Sequence, residues 1–332
     1  MLRKATRDVK PVSALVPAFT LRFVTRSVTA AVRVGRFRGR GPGEAGLVAS
    51  PPMPNAFLGI TAGIAAALSF GAGDFSGGLA ARRAGGILVA AAVQWVGLLA
   101  LLVGAAILRP PLPDAGALGI GLAAGVAGGV GLAALYAGLA LGAMGLVTAL
   151  SSLGSVVIPV LVGALSGTLL APLQLAGVGL AGLAAMTAGG ASRAGVSRAA
   201  LALAGVAALA FGSWYVLLDL AAAAGDPLWI LVASRVSSAV LISAVVVARG
   251  RSATVRDVAP LVVLAGLLDV GGNIGFVVAR DAIPVGLAAA LSGLYPLITM
   301  LLARFVLGEA LPRLGLVAVA LAITAVALIS LG

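Results

Sequence analysis

The chain contains no cysteine and no histidine, and only 10% of its residues are charged. Without cysteine there is no disulfide and no thiol nucleophile; without either residue there is no Cys/His metal site and no imidazole base. The redox compartment is left undetermined. No lysine occurs beyond Lys10, and aromatics make up 5%. A globular domain carries about 25% charged residues, so this chain cannot cover a water-facing surface with polar groups. What is present is apolar: 61% of the 332 residues, with a mean hydropathy of +1.18. That composition points to a polytopic membrane protein.

The formal charge of +12 is concentrated in residues 1–54. Arg3, Lys4, Arg7, Lys10, Arg22, Arg26, Arg33, Arg36, Arg38 and Arg40 lie there, against Asp8 and Glu44. No run in this tail is long enough to span, and "GRFRGRGPGEAG" and "SPPMPN" read as disordered. Three readings stand open. The tail is a polybasic arm on anionic lipid, a targeting peptide that lacks a continuous apolar core, or untranslated sequence upstream of a true start at Met53.

Beyond Asn55 come ten apolar segments of about 20 residues, each enough for about 30 Å of hydrocarbon. They fall at about 56–78, 86–108, 115–138, 143–165, 170–189, 199–222, 227–248, 258–279, 284–306 and 310–331. The runs are continuously apolar and not alternating, which predicts helices and not barrel strands.

The segments repeat. Moving the second half back by 141 positions (286 − 145) sets Gly286 on Gly145, Leu291 on Leu150 and Ser292 on Ser151. Phe211–Gly212 falls on Phe70–Gly71 and Gly266 on Gly125 at the same offset. One ungapped offset across five segments predicts two homologous halves, 56–190 and 199–331. Five crossings is an odd number, so the second half enters the membrane from the opposite side. The expected fold is all-α: ten transmembrane helices as two five-helix inverted repeats, with a site between the halves.

The stretch "LSGLYPLITMLLARFVLGEALPRLGL" (Leu291–Leu316), its counterpart "LYAGLALGAMGLVTALSSLGSVVIPVLVGALSGTLLAPLQLAG" (Leu135–Gly177) and "GAGDFSGGLAARR" (Gly71–Arg83) resemble the EamA-type branch of the drug/metabolite transporter superfamily. The likeness runs over about 56–331, with Pro296, Gly308 and Glu309 as its motif residues. The first half departs from it: Thr168 stands where the second half has Glu309, and Ser155 where it has Pro296, with Pro159 as a substitute kink. The resemblance implies a ten-helix basket with helices five and ten outside its central cavity. It also implies transport of a small organic solute, amino-acid-like or related, as export.

Intramembrane charge costs about 2.5–3.5 kcal/mol at a helix centre on insertion scales and marks function or a partner. Asp269 lies mid-segment in "GLLDVGGNIGF", with Asn273 one turn on. Arg235 sits at similar depth, either pairing with Asp269 or gripping a substrate carboxylate. Its equivalent is Gln94 (235 − 141). Trp214, Tyr215 and Tyr295 are amphipathic aromatics on cavity segments, and Ser151 and Ser292 offer hydroxyls at matched positions, although serines also back-bond to their own helix. Asp74 and Asp219 read as near-end charges solvated at an interface. Glu309 reads as an N-terminal helix charge, one turn from Arg313, serving as an interface anchor.

The expected function is secondary transport by alternating access, not catalysis. The expected partners are a small-molecule substrate and the lipid bilayer; two readings of the energetics stand open, proton coupling with Asp269 as the carrier and an uncoupled uniporter or facilitated exporter. No nucleic acid and no cofactor are expected, and the expected location is the inner or plasma membrane. The rivals are a polytopic scaffold or sensor and a membrane-embedded enzyme. Loop charges and tail charges disagree on orientation: Arg82, Arg83, Arg249 and Arg256 crowd one side, opposite the side of the basic tail.

Overall fold

A computed structural model of the chain describes residues 55–141, 144–167, 169–190, 197–250, 254–307 and 313–331. The basic tail, Met53, Thr168, Gly308 and Glu309 lie outside the described residues, and so does the anchor role expected of Glu309.

The described residues form helices. They are α1 (Ala56–Ala84), α2 (Gly86–Leu108), α3 (Ala115–Ala140), α4 (Met144–Leu165), α5 (Pro172–Gly190), α6 (Arg198–Ala224) and α7 (Pro227–Ala248). A 3₁₀ turn (Arg256–Val258) then leads into α8 (Ala259–Ala282), α9 (Val285–Ser292), α10 (Tyr295–Leu307) and α11 (Arg313–Leu331). Eight helical stretches are long and apolar enough to cross a membrane, counting Val285–Leu307 as one; α5 and α11 are apolar but shorter. Large apolar side chains face outward, with Leu165 88%, Phe305 79% and Leu99 65% exposed. Hydrocarbon, not water, is the solvent that makes such a surface stable.

Local signals set the ends. Asp114 caps α3 by accepting from Ala117 N at 2.8 Å, Ser197 caps α6, and Asp226 caps α7, whose first residue is Pro227. Gly85, at φ 93°, makes the one-residue turn between α1 and α2, a conformation that costs little only for glycine.

Two boundaries correct the sequence reading. The first segment does not stop near residue 78; α1 runs on to Ala84, carrying Asp74 well inside the helix. The ninth segment is not one helix. It breaks at Gly293–Leu294, where Leu297 N donates to the Leu294 carbonyl and Pro296 has no N–H to give. Pro159, expected to supply a kink, sits inside an unbroken α4.

α1 packs on α8, α3 on α6, α2 on α7 and α5 on α11. The helices also recur at the sequence offset: Gly86–Leu108 moved by 141 covers 227–249, against Pro227–Ala248 for α7. Individual contacts recur with it. Gly131 lies against the Phe211 ring and Gly272 (131 + 141) against the Phe70 ring (211 − 141). Gly125 meets the Ser234 carbonyl, and Gly266 (125 + 141) meets the Val93 carbonyl (234 − 141). Gly212 meets the Gly154 carbonyl as Gly71 (212 − 141) meets that of Tyr295 (154 + 141). These glycines let helix backbones approach to where a methyl group would collide.

Candidate functional site

The packing leaves a cavity of about 70 Å³ walled by all eight of the spanning-length stretches and by neither α5 nor α11. A water needs roughly 10–15 Å³ of such space, so the cavity holds a few waters or a small polar group. Phe70 and Asp74 come from α1, Gln94 from α2, Leu132 from α3, Ser155 from α4 and Trp214 and Tyr215 from α6. Ser234, Arg235 and Ser238 come from α7, Asp269 and Asn273 from α8, and Tyr295 from α10.

Arg235 is the hub. Its Nη1 donates to Gln94 Oε1 and its Nη2 to Asp269 Oδ2, so one guanidinium ties together α7, α2 and α8. Gly97 makes the room: a Cβ there would stand 3.3 Å from Arg235 Nε. Arg235 and Gln94 are almost fully buried, while the Asp269 side chain is 20% exposed. In so dry a setting the charges must be paired, and the fork shape of guanidinium serves two acceptors at once. Of the two roles open to Arg235 in the sequence, the structure displays the ion pair with Asp269. Gln94 and Arg235 are also the pair related by 141 residues, and they meet each other directly.

Asn273 does not bond the Asp269 carboxylate. Its Nδ2 donates to the Asp269 backbone carbonyl at 2.7 Å, one turn back. Trp214, Tyr215 and the buried Phe276 form an aromatic cluster, with centroids 4.9 Å apart for Trp214–Tyr215 and 4.4 Å for Tyr215–Phe276. The indole Nε1 of Trp214 donates to Ser234 Oγ at 3.3 Å, which fixes the ring against α7. Tyr295 reaches the cavity from the first turn of α10, its hydroxyl 2.8 Å from Ser151 Oγ. Ser151 therefore supports the wall through Tyr295 and does not line it. Ser292 is fully buried away from the lining, and its hydroxyl has no partner among the described residues. Pro296 is buried beside Tyr295 in α10.

The structure thus gathers Asp269, Asn273, Arg235, Gln94, Trp214, Tyr215 and Tyr295 around one space. It adds two residues that the sequence reading set aside. Asp74 was read as an interface charge; it lines the cavity, because α1 continues ten residues beyond it (84 − 74). Its neighbour Gly73 packs 3.6 Å, measured from an added Cβ, from the Asp269 backbone nitrogen. Ser155 was noted only as a departure from the Pro296 pattern; it too lines the cavity. The other near-end acid, Asp219, accepts from Arg280 Nε at 2.7 Å, and Asp281 accepts from Arg280 Nη1 at 2.6 Å. Among the described residues no group of three or more His, Cys, Asp or Glu could hold a metal.

Three comparisons bear on this arrangement. The model of the EamA-like transporter family matches residues 198–331. No curated protein matches the chain. A protein solved as a crystal structure shares the fold at a TM-score of 0.64 and 17% identity, covering 82% of this chain and 96% of its own.

Proposed function

From the premise that residues 198–331 belong to the EamA-like transporter family of the drug/metabolite transporter superfamily, we propose that the protein is a secondary transporter. It moves a small organic metabolite through the central cavity by alternating access. Its two five-helix halves act as inverted repeats about an axis through α2 and α7. The observation that carries this reading is the Gln94–Arg235–Asp269 linkage, which joins the halves at mid-helix beside an aromatic-walled cavity. The glycine contacts repeated at 141 residues support the two-fold relation. A solute entering the cavity competes for the hydrogen bonds that hold α2, α7 and α8 together, so binding and rearrangement are linked at one place.

The direction proposed is export, across the inner or plasma membrane. Protons are the proposed coupling ion, exchanged at Asp269 when its pair with Arg235 opens. Untargeted metabolite profiling of cells and medium, with the wild-type chain or an Arg235→Met/Asp269→Leu variant expressed, tests the reading. We expect at least one small solute to shift between cell and medium with the wild type alone. Identical profiles for the two chains would sink it. With that solute in hand, Asp269→Asn is expected to abolish the part of its movement driven by a pH gradient. Undiminished pH-driven movement removes Asp269 as the carrier.

A further inference from the structure

We propose that the cavity binds a small organic cation, an ammonium or guanidinium on a compact apolar body, with Asp74 as its counter-ion. This rests on the transporter reading and names the substrate class for the same cavity. Charge bookkeeping is the first argument. Three ionisable side chains line the cavity: Asp74, Arg235 and Asp269. Arg235 and Asp269 neutralise each other, and Gln94 takes the other arm of the guanidinium. Asp74 forms no hydrogen bond and no ion pair with any described residue. A carboxylate removed from bulk water without a partner is costly, and a cation brought to it relieves the cost. A carboxylate solute would meet the reverse situation: the one lining cation is already engaged, and Asp74 offers it no positive partner.

The second argument is independent of charge. Ser155, only 1% exposed, is one of the residues lining the cavity, and its hydroxyl has no hydrogen-bond partner among the described residues. Four residues on, Pro159 has no N–H to return to the Ser155 carbonyl. A ligand N–H donor would satisfy this side chain, which nothing described satisfies. The third argument is the apolar wall. Phe70, Phe211, Trp214 and Tyr215 present rings to the same space, and ring faces attract an ammonium or guanidinium. A lone acid would have no specificity; an acid, an orphan hydroxyl able to accept from a ligand N–H and aromatic rings around one enclosed space form a cation site.

The full chain, purified in detergent, is titrated calorimetrically with n-butylammonium and guanidinium, and with n-butanol and butyrate as uncharged and anionic counterparts. Binding of a cationic probe, with no binding of butanol or butyrate, is the expected result. Asp74→Asn should weaken that binding by about tenfold or more, Asp74→Glu should retain part of it, and Ser155→Ala should weaken it less. Equal unfolding midpoints for these near-isosteric variants separate lost binding from lost fold. Should a variant misfold, the preference of the wild type for cation over butyrate decides alone. Butyrate binding in preference to the cations, an unchanged affinity in a folded Asp74→Asn, or no binding of either cation overturns the proposal. Metabolite profiling keeps the two readings apart. A solute shift dependent on the wild-type chain, without cation binding, retires only the cation; no shift at all retires the transporter.

Discussion

At the scale of single residues, Arg235 is where the account is most exposed. Removing it leaves the buried Gln94 and the largely enclosed Asp269 without their donor. Breaking a buried pair by deleting one partner costs about 3–5 kcal/mol, whereas replacing both partners by apolar groups is often near neutral. Arg235→Ala should therefore lower unfolding stability in detergent by that amount, and Arg235→Met/Asp269→Leu should recover most of it. Equal losses in the two variants would show that the pair is not the feature holding α7 to α8. These residues were legible in the sequence because charge deep in an apolar run is costly and conspicuous. Asp74 was not. "GGLAARR" after it reads as the frayed end of a span, and only tertiary packing shows otherwise. Gly77 lies against the Tyr136 ring and Gly73 against the backbone at Asp269, so those glycines are helix contacts and not a terminus.

Among elements, the determining interactions are backbone-to-backbone approaches at glycine. A Cβ on Gly125 would stand 1.9 Å from the Ser234 carbonyl oxygen and 2.0 Å from Ser237 Oγ, while one on Gly119, in the same helix, meets nothing within 4 Å. Gly125→Ala should force α3 from α7 and cost several-fold in folded yield. Gly119→Ala should be neutral or stabilising by about 0.5–1 kcal/mol, as expected for glycine in a helix interior. Yield and thermal midpoint of the two variants side by side check this; similar behaviour would refute the close approach. Helix positions were readable from continuous apolar runs, and α2 and α7 match their expected spans from end to end. The break at Gly293–Leu294 was not readable. Pro296 points to a kink at itself, but the helix breaks before it, where Gly293 closes on Val156 of α4. Such a contact joins distant segments and leaves no local pattern.

For the whole molecule, the claim at stake is the relation between halves. Arg83 and Ala224 are exposed, equivalent at the 141-residue offset (224 − 83), and stand at the ends of α1 and α6. Inverted repeats put them on opposite faces of the membrane; parallel repeats would put them on the same face. The absence of cysteine makes the test clean. Single variants Arg83→Cys and Ala224→Cys should react with an impermeant maleimide from opposite sides, and reaction from one common side would rule out inversion. The repeat could be proposed from sequence because glycine and phenylalanine positions recur at one offset. Which helices pair across the halves could not, since periodicity identifies apolar faces but not their partners.

The central claim is that one cavity between the halves opens to each side of the membrane in turn. Ser155 lines that cavity and is buried from every other approach. In sealed proteoliposomes of uniform orientation, a Ser155→Cys variant is treated with a small impermeant thiol reagent from outside, or from inside with the reagent entrapped. The account predicts modification from both sides, slowed in each case by the transported solute. Modification from one side only, or from neither while Arg83→Cys and Ala224→Cys still react, would contradict it.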